Sequence, residues 1–320
     1  MFKNKSNIIK TLLKGITGIL ACSFLAYSLL TFDGYDSLLL PFREGGISHW
    51  YLLLLVILMI PFNWLLESVK WKILIEGVER ISLKRSLYSV LAGLTTGVFS
   101  PGRVGEFIGR VLLLEPQSRR KASALWAVGA VTTTIVICLI GVPALFLFVK
   151  SGKEIDLLQN FSVTYYLLIA LSSVLFLILL YFMIPHIGNF LSRRFSGYFS
   201  SFFDMLKKIA LLRLMNILVV SLLRYMVFCL QFWIMLGFFG VELSAGEACI
   251  GIFTSYLFIT FLPSVFLTEA TVKSSVFVLV LSAFSGNSVA IIGASMLLWI
   301  LNLAIPTLFG VLFLTKNMTK

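Results

Sequence analysis

Residues 99–107 read FSPGRVGEF and interrupt a long apolar stretch, with SLYSVLAGLTTGV before them and RVLLL soon after them. Pro cannot continue a helix, and Gly permits backbone conformations that other residues avoid. Pro101, Gly102 and Gly105 therefore predict a turn in the middle of the stretch. The same turn carries an Arg and a Glu, which are costly in apolar surroundings and indicate a role beyond the turn.

The composition is that of an integral membrane protein. Of the 320 residues, 59% are hydrophobic and 12% are charged, and the mean hydropathy is +1.00. A soluble domain carries about 25% charged residues. The net charge of +12 would suggest nucleic acid as a partner of a soluble protein. Here it fits basic cytoplasmic loops instead, and we expect an all-α polytopic membrane protein that binds no nucleic acid.

Six stretches are long and apolar enough to cross about 30 Å of hydrocarbon as helices. They are roughly 11–31, 50–68, 122–149, 162–184, 214–239 and 288–314. The first could pass for a signal peptide, but its length favours a retained anchor. Two further apolar stretches, 86–115 and 247–284, are broken near their centres, the second by PSVFLTE, in which Pro263 predicts another turn.

The basic residues indicate that the broken stretches enter the membrane and return to the same side. With the N-terminus inside and both stretches re-entrant, 19 Lys and Arg residues lie inside, 3 lie outside and 4 lie at membrane depth. This asymmetry largely disappears if 86–115 crosses once. The bias predicts two re-entrant hairpins, cytoplasmic N- and C-termini, and a plasma (inner) membrane location.

The order of elements predicts an inverted-topology repeat. Residues 1–150 and 151–320 each read as span, span, broken hairpin and span, and the two halves start on opposite sides of the membrane. Secondary transporters commonly have this organisation, with the substrate at the midplane where broken helices meet. The tips of the two hairpins are therefore expected to approach each other.

Charged residues at membrane depth are candidates for substrate binding. In one interpretation Arg103 and Arg110 bind an anionic group, and Glu106 holds a guanidinium in place, since Arg binds phosphate bidentately and stays charged. In the other, the Arg103–Glu106 pair only stabilises the turn. Glu269 and Lys273, four residues apart, suggest the same function in the second hairpin.

Arg224 is a third candidate cation, facing the interior of the fifth span, although it could instead extend toward the cytoplasmic side. The four cysteines lie in apolar segments, and the sequence contains no nucleotide-binding loop, GxSxG or zinc motif. We therefore expect no cofactor, no metal and no catalytic residues.

The run WKILIEGVERISLKRSLYSVLAGLTTGVFSPGRVGEFIGRVLLL (71–114), with its P-G-R-x-G-E core and following Arg, resembles the lysylphosphatidylglycerol synthase transmembrane-region family of flippase-like proteins. The resemblance implies an inner-membrane protein that handles lipids, including aminoacylated phosphatidylglycerol or polyprenyl-phosphate and glycolipid intermediates. No aminoacyltransferase domain follows the last span, so we expect no enzyme activity.

The leading functional prediction is translocation of an anionic phospholipid or a polyprenyl-phosphate-linked head group between leaflets. Two alternatives remain. One is a secondary transporter of a small soluble anion, whose site would open to water rather than between helices. The other is a non-transporting accessory subunit of a lipid or glycolipid synthesis pathway, in which charge substitutions in the hairpins would be tolerated. The oligomeric state does not follow from the sequence.

Overall fold

The computed structural model describes residues 49–98, 100, 103–151, 163–194, 200–262 and 266–317, and within them every regular element is helical. The prediction of an all-α protein is thus confirmed for the described residues. In chain order the helices are α1 (Trp50–Ile75), α2 (Leu83–Gly97), α3 (Glu106–Leu112), α4 (Pro116–Lys150), α5 (Val163–Phe182), α6 (Ile184–Arg194), α7 (Ser200–Lys207), α8 (Leu211–Phe238), α9 (Ala245–Phe261), α10 (Phe266–Leu281), α11 (Ser288–Trp299), a π-helical turn (Ile300–Ala304) and α12 (Ile305–Asn317).

Four helical segments of the described chain are long and apolar enough to cross a membrane: Trp50–Ile75, Pro116–Lys150, Leu211–Phe238 and Ser288–Val311. Each coincides with a predicted span. A fifth candidate is the bent pair Ala170–Phe182 and Ile184–Arg194, whose axes differ by 62°. The predicted span 11–31 lies outside the described residues, so the total of six spans stays a prediction.

The bend between α5 and α6 lies next to Pro185, the second residue of α6. Pro has no N–H to donate to the preceding turn, and its ring clashes with the carbonyl four residues before it. The apolar helix α5 therefore ends at this point, and the chain continues in a different direction as α6. The last turn of α6 carries Arg193 and Arg194, both exposed.

Helix α1 extends to Ile75, beyond the predicted end of its span at residue 68. Lys70 lies beyond the predicted end of the span, but it does not lie in a connecting segment: Glu67 and Lys70 are both 4% exposed inside the helix. The helix continues because the two opposite charges, three residues apart, pair with each other at 2.8 Å and reduce the cost of burial.

Helices α2 and α3 form an antiparallel helical hairpin, which we call the first hairpin. Arg85, near the start of α2, donates from Nη2 to the carbonyl of Leu113 at 2.7 Å. Thr96, near the end of α2, donates to the carbonyl of Gly105 at 2.8 Å. The start of one arm thus contacts the end of the other, as in an antiparallel pair. Except for its first three residues, the hairpin lies within the predicted 86–115 segment.

Helices α9 and α10 form the second hairpin, within the predicted 247–284 segment apart from the first two residues of α9. Tyr256 packs edge-on against Phe277 with ring centroids 5.4 Å apart, and Gly251 lies against Leu281. The arms are therefore antiparallel as well. Pro101, Gly102 and Pro263, predicted in the two turns, lie outside the described residues.

Long helices pack against both hairpins. Helix α1 packs along α8, α4 packs along α9, and α2 packs against α12. A large apolar core includes Phe232 of α8 and Phe277 of α10, whose ring centroids are 3.9 Å apart. The division into halves 1–150 and 151–320, the inverted repeat and the re-entrant character of the hairpins stay predictions.

Candidate functional site

The turn of the first hairpin is built by hydrogen bonds to hydroxyl groups. The backbone N–H of Gly105 donates to Ser100 Oγ at 2.6 Å, and the N–H of Gly109 donates to Thr96 Oγ1 at 3.0 Å. Within this turn Arg103 has φ 58°, the only positive φ among the described non-glycine residues. This left-handed conformation costs a non-glycine residue about 1–2 kcal/mol. A residue held in it is a candidate for a functional role.

Close approach of the two arms requires glycine at Gly109. A Cβ atom there would overlap the carbonyl group of Ala92 in α2. Gly97 lies opposite in the same hairpin, and a Cβ there would come within 2.7 Å of Glu106 Cγ. The absence of both side chains brings α3 against α2 and fixes where the Glu106 and Arg110 side chains project.

Glu67 of α1 is the centre of a buried ion-pair network. Its Oε2 atom lies 2.8 Å from Lys70 Nζ and 3.0 Å from Arg224 Nη1, and its Oε1 atom lies 2.7 Å from Arg110 Nη1. One carboxylate thus joins α1, the first hairpin and α8. Lys70 Nζ also donates to Thr133 Oγ1 of α4 at 3.2 Å.

Glu106 is held by two arginines of its own hairpin. Its Oε1 atom lies 2.6 Å from Arg103 Nη2, and its Oε2 atom lies 3.1 Å from Arg110 Nη2. Arg110 therefore lies between the carboxylates of Glu106 and Glu67, and its guanidinium also lies 5.7 Å from the ring centre of Trp71. This arrangement neutralises Arg110 on several sides and keeps it buried.

The second hairpin contributes a simpler pair. Glu269 lies in the first turn of α10, and its Oε1 atom is 2.6 Å from Lys273 Nζ. The Glu269 side chain is 5% exposed, whereas that of Lys273 is 29% exposed. Lys273 of the second hairpin and Arg103 of the first line the same cavity, so charged residues of both hairpins face one space.

A chain of amides orients Arg224. Gln231 donates from Nε2 to the carbonyl of Val56 at 3.3 Å and accepts from Asn63 Nδ2 at 3.3 Å. Asn63 Oδ1 in turn accepts from Arg224 Nε at 3.0 Å. Asn302, in the π-helical turn, also donates to Gln231 Oε1, at 3.4 Å. Because the amides fix its Nε, the Arg224 guanidinium presents Nη1 to Glu67.

These groups surround one cavity of about 460 Å³. Five cations line it. Lys70 comes from α1, Arg103 and Arg110 come from the first hairpin, Arg224 comes from α8, and Lys273 comes from the second hairpin. The carboxylates lining it are Glu67 and Glu106. Apolar and aromatic residues complete the wall, among them Leu94, Trp126, Phe228, Ile259, Phe277 and Leu298. The cavity is therefore positively charged and amphipathic.

The cations that line the cavity differ in how much of each side chain is exposed. The side chains of Arg103, Arg224 and Lys273 are 28%, 25% and 29% exposed, while those of Lys70 and Arg110 are 5% and 6% exposed. The first three come from three different elements and can reach a ligand. The other two are enclosed by protein.

Of the residues predicted from the sequence, Arg103, Glu106, Arg110, Arg224 and Lys273 all line the cavity, and Glu269 pairs with one of them. Their role in substrate binding stays a prediction. Sequence reasoning missed Glu67, Lys70 and the amides of Asn63, Gln231 and Asn302. Each is a polar residue within an apolar helix, and this was the signal that could have identified them. Among the described residues, no group of three or more His, Cys, Asp or Glu side chains could hold a metal ion.

Long apolar helices around a buried charged cavity define a multi-pass helical membrane protein. The sequence model of the family described as "Lysylphosphatidylglycerol synthase TM region" matches residues 15–310. This protein belongs to that family, as the resemblance of its 71–114 region indicated. No curated protein matches the sequence.

Proposed function

We propose that this protein translocates an anionic lipid, or a lipid-linked anionic head group, between the leaflets of the plasma membrane, and that it is not an enzyme. The observation that carries the proposal is the excess of cations in an amphipathic cavity: five line it, against two carboxylates. Burying unneeded charges is costly, so an excess of one sign at this depth is best explained by a ligand of the opposite sign.

The lengths of the hairpin arms support re-entrant entry. Helix α2 has 15 residues and α3 has 7, which at 1.5 Å per residue is about 22 Å and about 10 Å. Neither crosses about 30 Å of hydrocarbon. Irregular backbone such as the turn at Arg103 is tolerated at membrane depth where it is buried in protein or lines a polar cavity.

The proposed mechanism is alternating access between two halves in an inverted repeat, 1–150 and 151–320. Two features support it. First, each hairpin is antiparallel. Second, each has a carboxylate in the first turn of its second arm that pairs with a basic residue four positions later: Glu106 with Arg110, and Glu269 with Lys273. A head group held between the two hairpins would be released when one half moves relative to the other.

Flipping of fluorescent lipids in proteoliposomes tests the proposal. We would reconstitute the wild type, Arg103→Ala, Glu106→Gln and, as a matched control, Arg194→Ala, which removes an exposed arginine of α6 that does not line the cavity. Wild type and Arg194→Ala should flip anionic lipids, and the other two variants should flip them at least tenfold more slowly. Each variant is first checked for a monodisperse size-exclusion profile.

Failure to flip any anionic phospholipid or polyprenyl phosphate would overturn the proposal. Uptake of a small soluble anion into the same proteoliposomes would then favour a secondary transporter. If neither lipid nor soluble anion moves and hairpin variants remain active in cells, the accessory-subunit alternative is favoured.

A further inference from the structure

The charge balance of the cavity restricts the head groups it can accept. The three carboxylates near the cavity among the described residues are all engaged by cations: Glu67 by three, Glu106 by two and Glu269 by one. With five cations facing them, the cluster keeps an excess of two positive charges. An ammonium group entering the cavity would meet this excess, and none of these carboxylates is left over to pair with it.

A phosphate would meet the opposite situation. Arg103, Arg224 and Lys273 approach the cavity from the first hairpin, α8 and the second hairpin, and each keeps about a quarter of its side chain exposed. Arg103 and Arg224 each have further guanidinium donors beyond the one bonded to a carboxylate. Three partly exposed cations from three separate elements therefore line one cavity, and this charge suits a phosphate.

Neutral polar atoms near the cations indicate what accompanies the phosphate. Trp64 Nε1, Ser221 Oγ and Asn302 Oδ1 belong to residues lining the cavity, are buried, and have no hydrogen-bond partner among the described residues. Ser221 is only 3% exposed. Leaving a buried polar group unpaired costs about 1–3 kcal/mol, so a ligand that supplies partners is favoured. The three atoms include both donors and acceptors, which suits the hydroxyls of a glycerol or a sugar.

We infer that the cavity selects a lipid whose head group combines an anionic phosphate ester with neutral, hydroxyl-bearing groups, and that it discriminates against head groups carrying an ammonium. This inference rests on the proposed function and specifies its substrate class. The family description names lysylphosphatidylglycerol, a lipid in which a lysyl ester adds two ammonium groups to phosphatidylglycerol. The charges of this cavity favour unmodified phosphatidylglycerol over that ester.

The test compares two lipids that differ only in the lysyl ester. Acyl-labelled phosphatidylglycerol and lysylphosphatidylglycerol are reconstituted separately with the full-length protein, and the flipping rates are measured at one ionic strength. We expect phosphatidylglycerol to flip at least tenfold faster. In the variants Lys273→Gln and Arg224→Gln the ratio should fall severalfold, because each removes one of the excess charges. Lys208→Gln, at an exposed position outside the cavity lining, is the matched control and should keep the wild-type ratio.

A binding measurement separates this inference from the proposed function. Trp64, Trp126 and Trp299 line the cavity, so a bound head group should change the intrinsic fluorescence. Short-chain phosphatidylglycerol added to the detergent-solubilised protein should produce a saturable change at a concentration at least tenfold lower than the lysyl ester requires. If this preference is found without flipping, the inference stands and the translocase proposal fails. Equal or tighter binding of the lysyl ester, or saturable binding of neither lipid, would overturn the inference.

Discussion

The two hairpins have the same antiparallel shape but reach it by different means. In the first hairpin the arms have 15 and 7 residues, glycines let the helices touch, and Arg103 holds a left-handed backbone conformation. In the second the arms have 17 and 16 residues, and α9 begins with a capping box between Ser244 and Glu247. Within the described residues, the first hairpin is tight and contains a strained residue, whereas both arms of the second are regular helix.

The charges differ in the same way. Glu106 of the first hairpin shares Arg110 with Glu67, which ties the hairpin to α1 and α8. Glu269 of the second hairpin is ion-paired with Lys273 of its own helix. Among the described residues, the ion pair between Arg110 and Glu67 links the first hairpin to α1, whereas the second hairpin packs on α8 through the apolar core around Phe232 and Phe277. In the proposed alternating-access cycle, the second hairpin is therefore the better candidate for movement.

The largest expected difference concerns the two buried carboxylates. Glu67→Gln leaves Lys70, Arg110 and Arg224 without their shared anion, and removing one partner of a buried pair costs about 3–5 kcal/mol. Glu269→Gln releases only Lys273, which is partly exposed, and should cost clearly less. Thermal unfolding in detergent, followed by size-exclusion chromatography, measures both. Equal losses would show that Glu67 is not the centre of the network.

The double variant Glu67→Gln/Arg224→Gln is the internal control. It removes a carboxylate and one of its three cations together, and should be more stable than Glu67→Gln alone. If the double variant loses the sum of both single effects, the two side chains are not coupled.

A smaller difference is expected at the helix contacts. Gly109→Ala places a methyl group against the backbone carbonyl of Ala92, which cannot move without displacing α2. Overpacking of this kind typically costs about 1–3 kcal/mol. Gly251→Ala in the second hairpin meets the end of the flexible Leu281 side chain and should cost less. Gly246→Ala, with no atom within 4 Å of the new methyl, is the control.

Thermal unfolding of these three variants ranks them. If Gly251→Ala is as damaging as Gly109→Ala, the second hairpin is as tightly packed as the first, and the proposed difference in mobility between them has no structural basis.

Much of this fold follows from local sequence. Apolar length predicted the spans 50–68, 122–149 and 214–239, which coincide with the helices Trp50–Ile75, Pro116–Lys150 and Leu211–Phe238, because a buried or membrane-facing helix needs only a continuous apolar surface. Pro and Gly marked the break before Glu106. The end of α1 was placed too early, because Glu67 and Lys70 look like the polar end of a span when their distant partners are unknown.

The site was only partly predictable for the same reason. Arg103, Glu106 and Arg110 are close in sequence, so their association could be inferred from helical spacing. Glu67 meets Arg110 and Arg224 across 43 and 157 residues, and no local pattern encodes such contacts. The burial of Arg110 also depends on Glu67, so the sequence could not distinguish the enclosed Arg110 from the accessible Arg103.

The smallest expected effect separates backbone strain from charge in the two hairpins. Arg103→Gly and Arg103→Gln both remove the cation, but only Gly adopts φ 58° without strain. At this position Gly should therefore be more stable than Gln by about 1 kcal/mol. Lys273 lies inside α10, where Gly is less favourable than Gln by roughly 0.5–1 kcal/mol, so the order of stability should be reversed.

Thermal unfolding of the four variants in detergent tests this reversal. The charge change is the same in all four, so the comparison within each position cancels the loss of the ion pair. If the Gln variant is more stable than the Gly variant at both positions, Arg103 holds no backbone strain. If the Gly variant is more stable than the Gln variant at position 103 alone, the first hairpin maintains Arg103 in a costly conformation. Since both Arg103 variants lack the guanidinium, each should also have lost anionic lipid binding, whatever its stability.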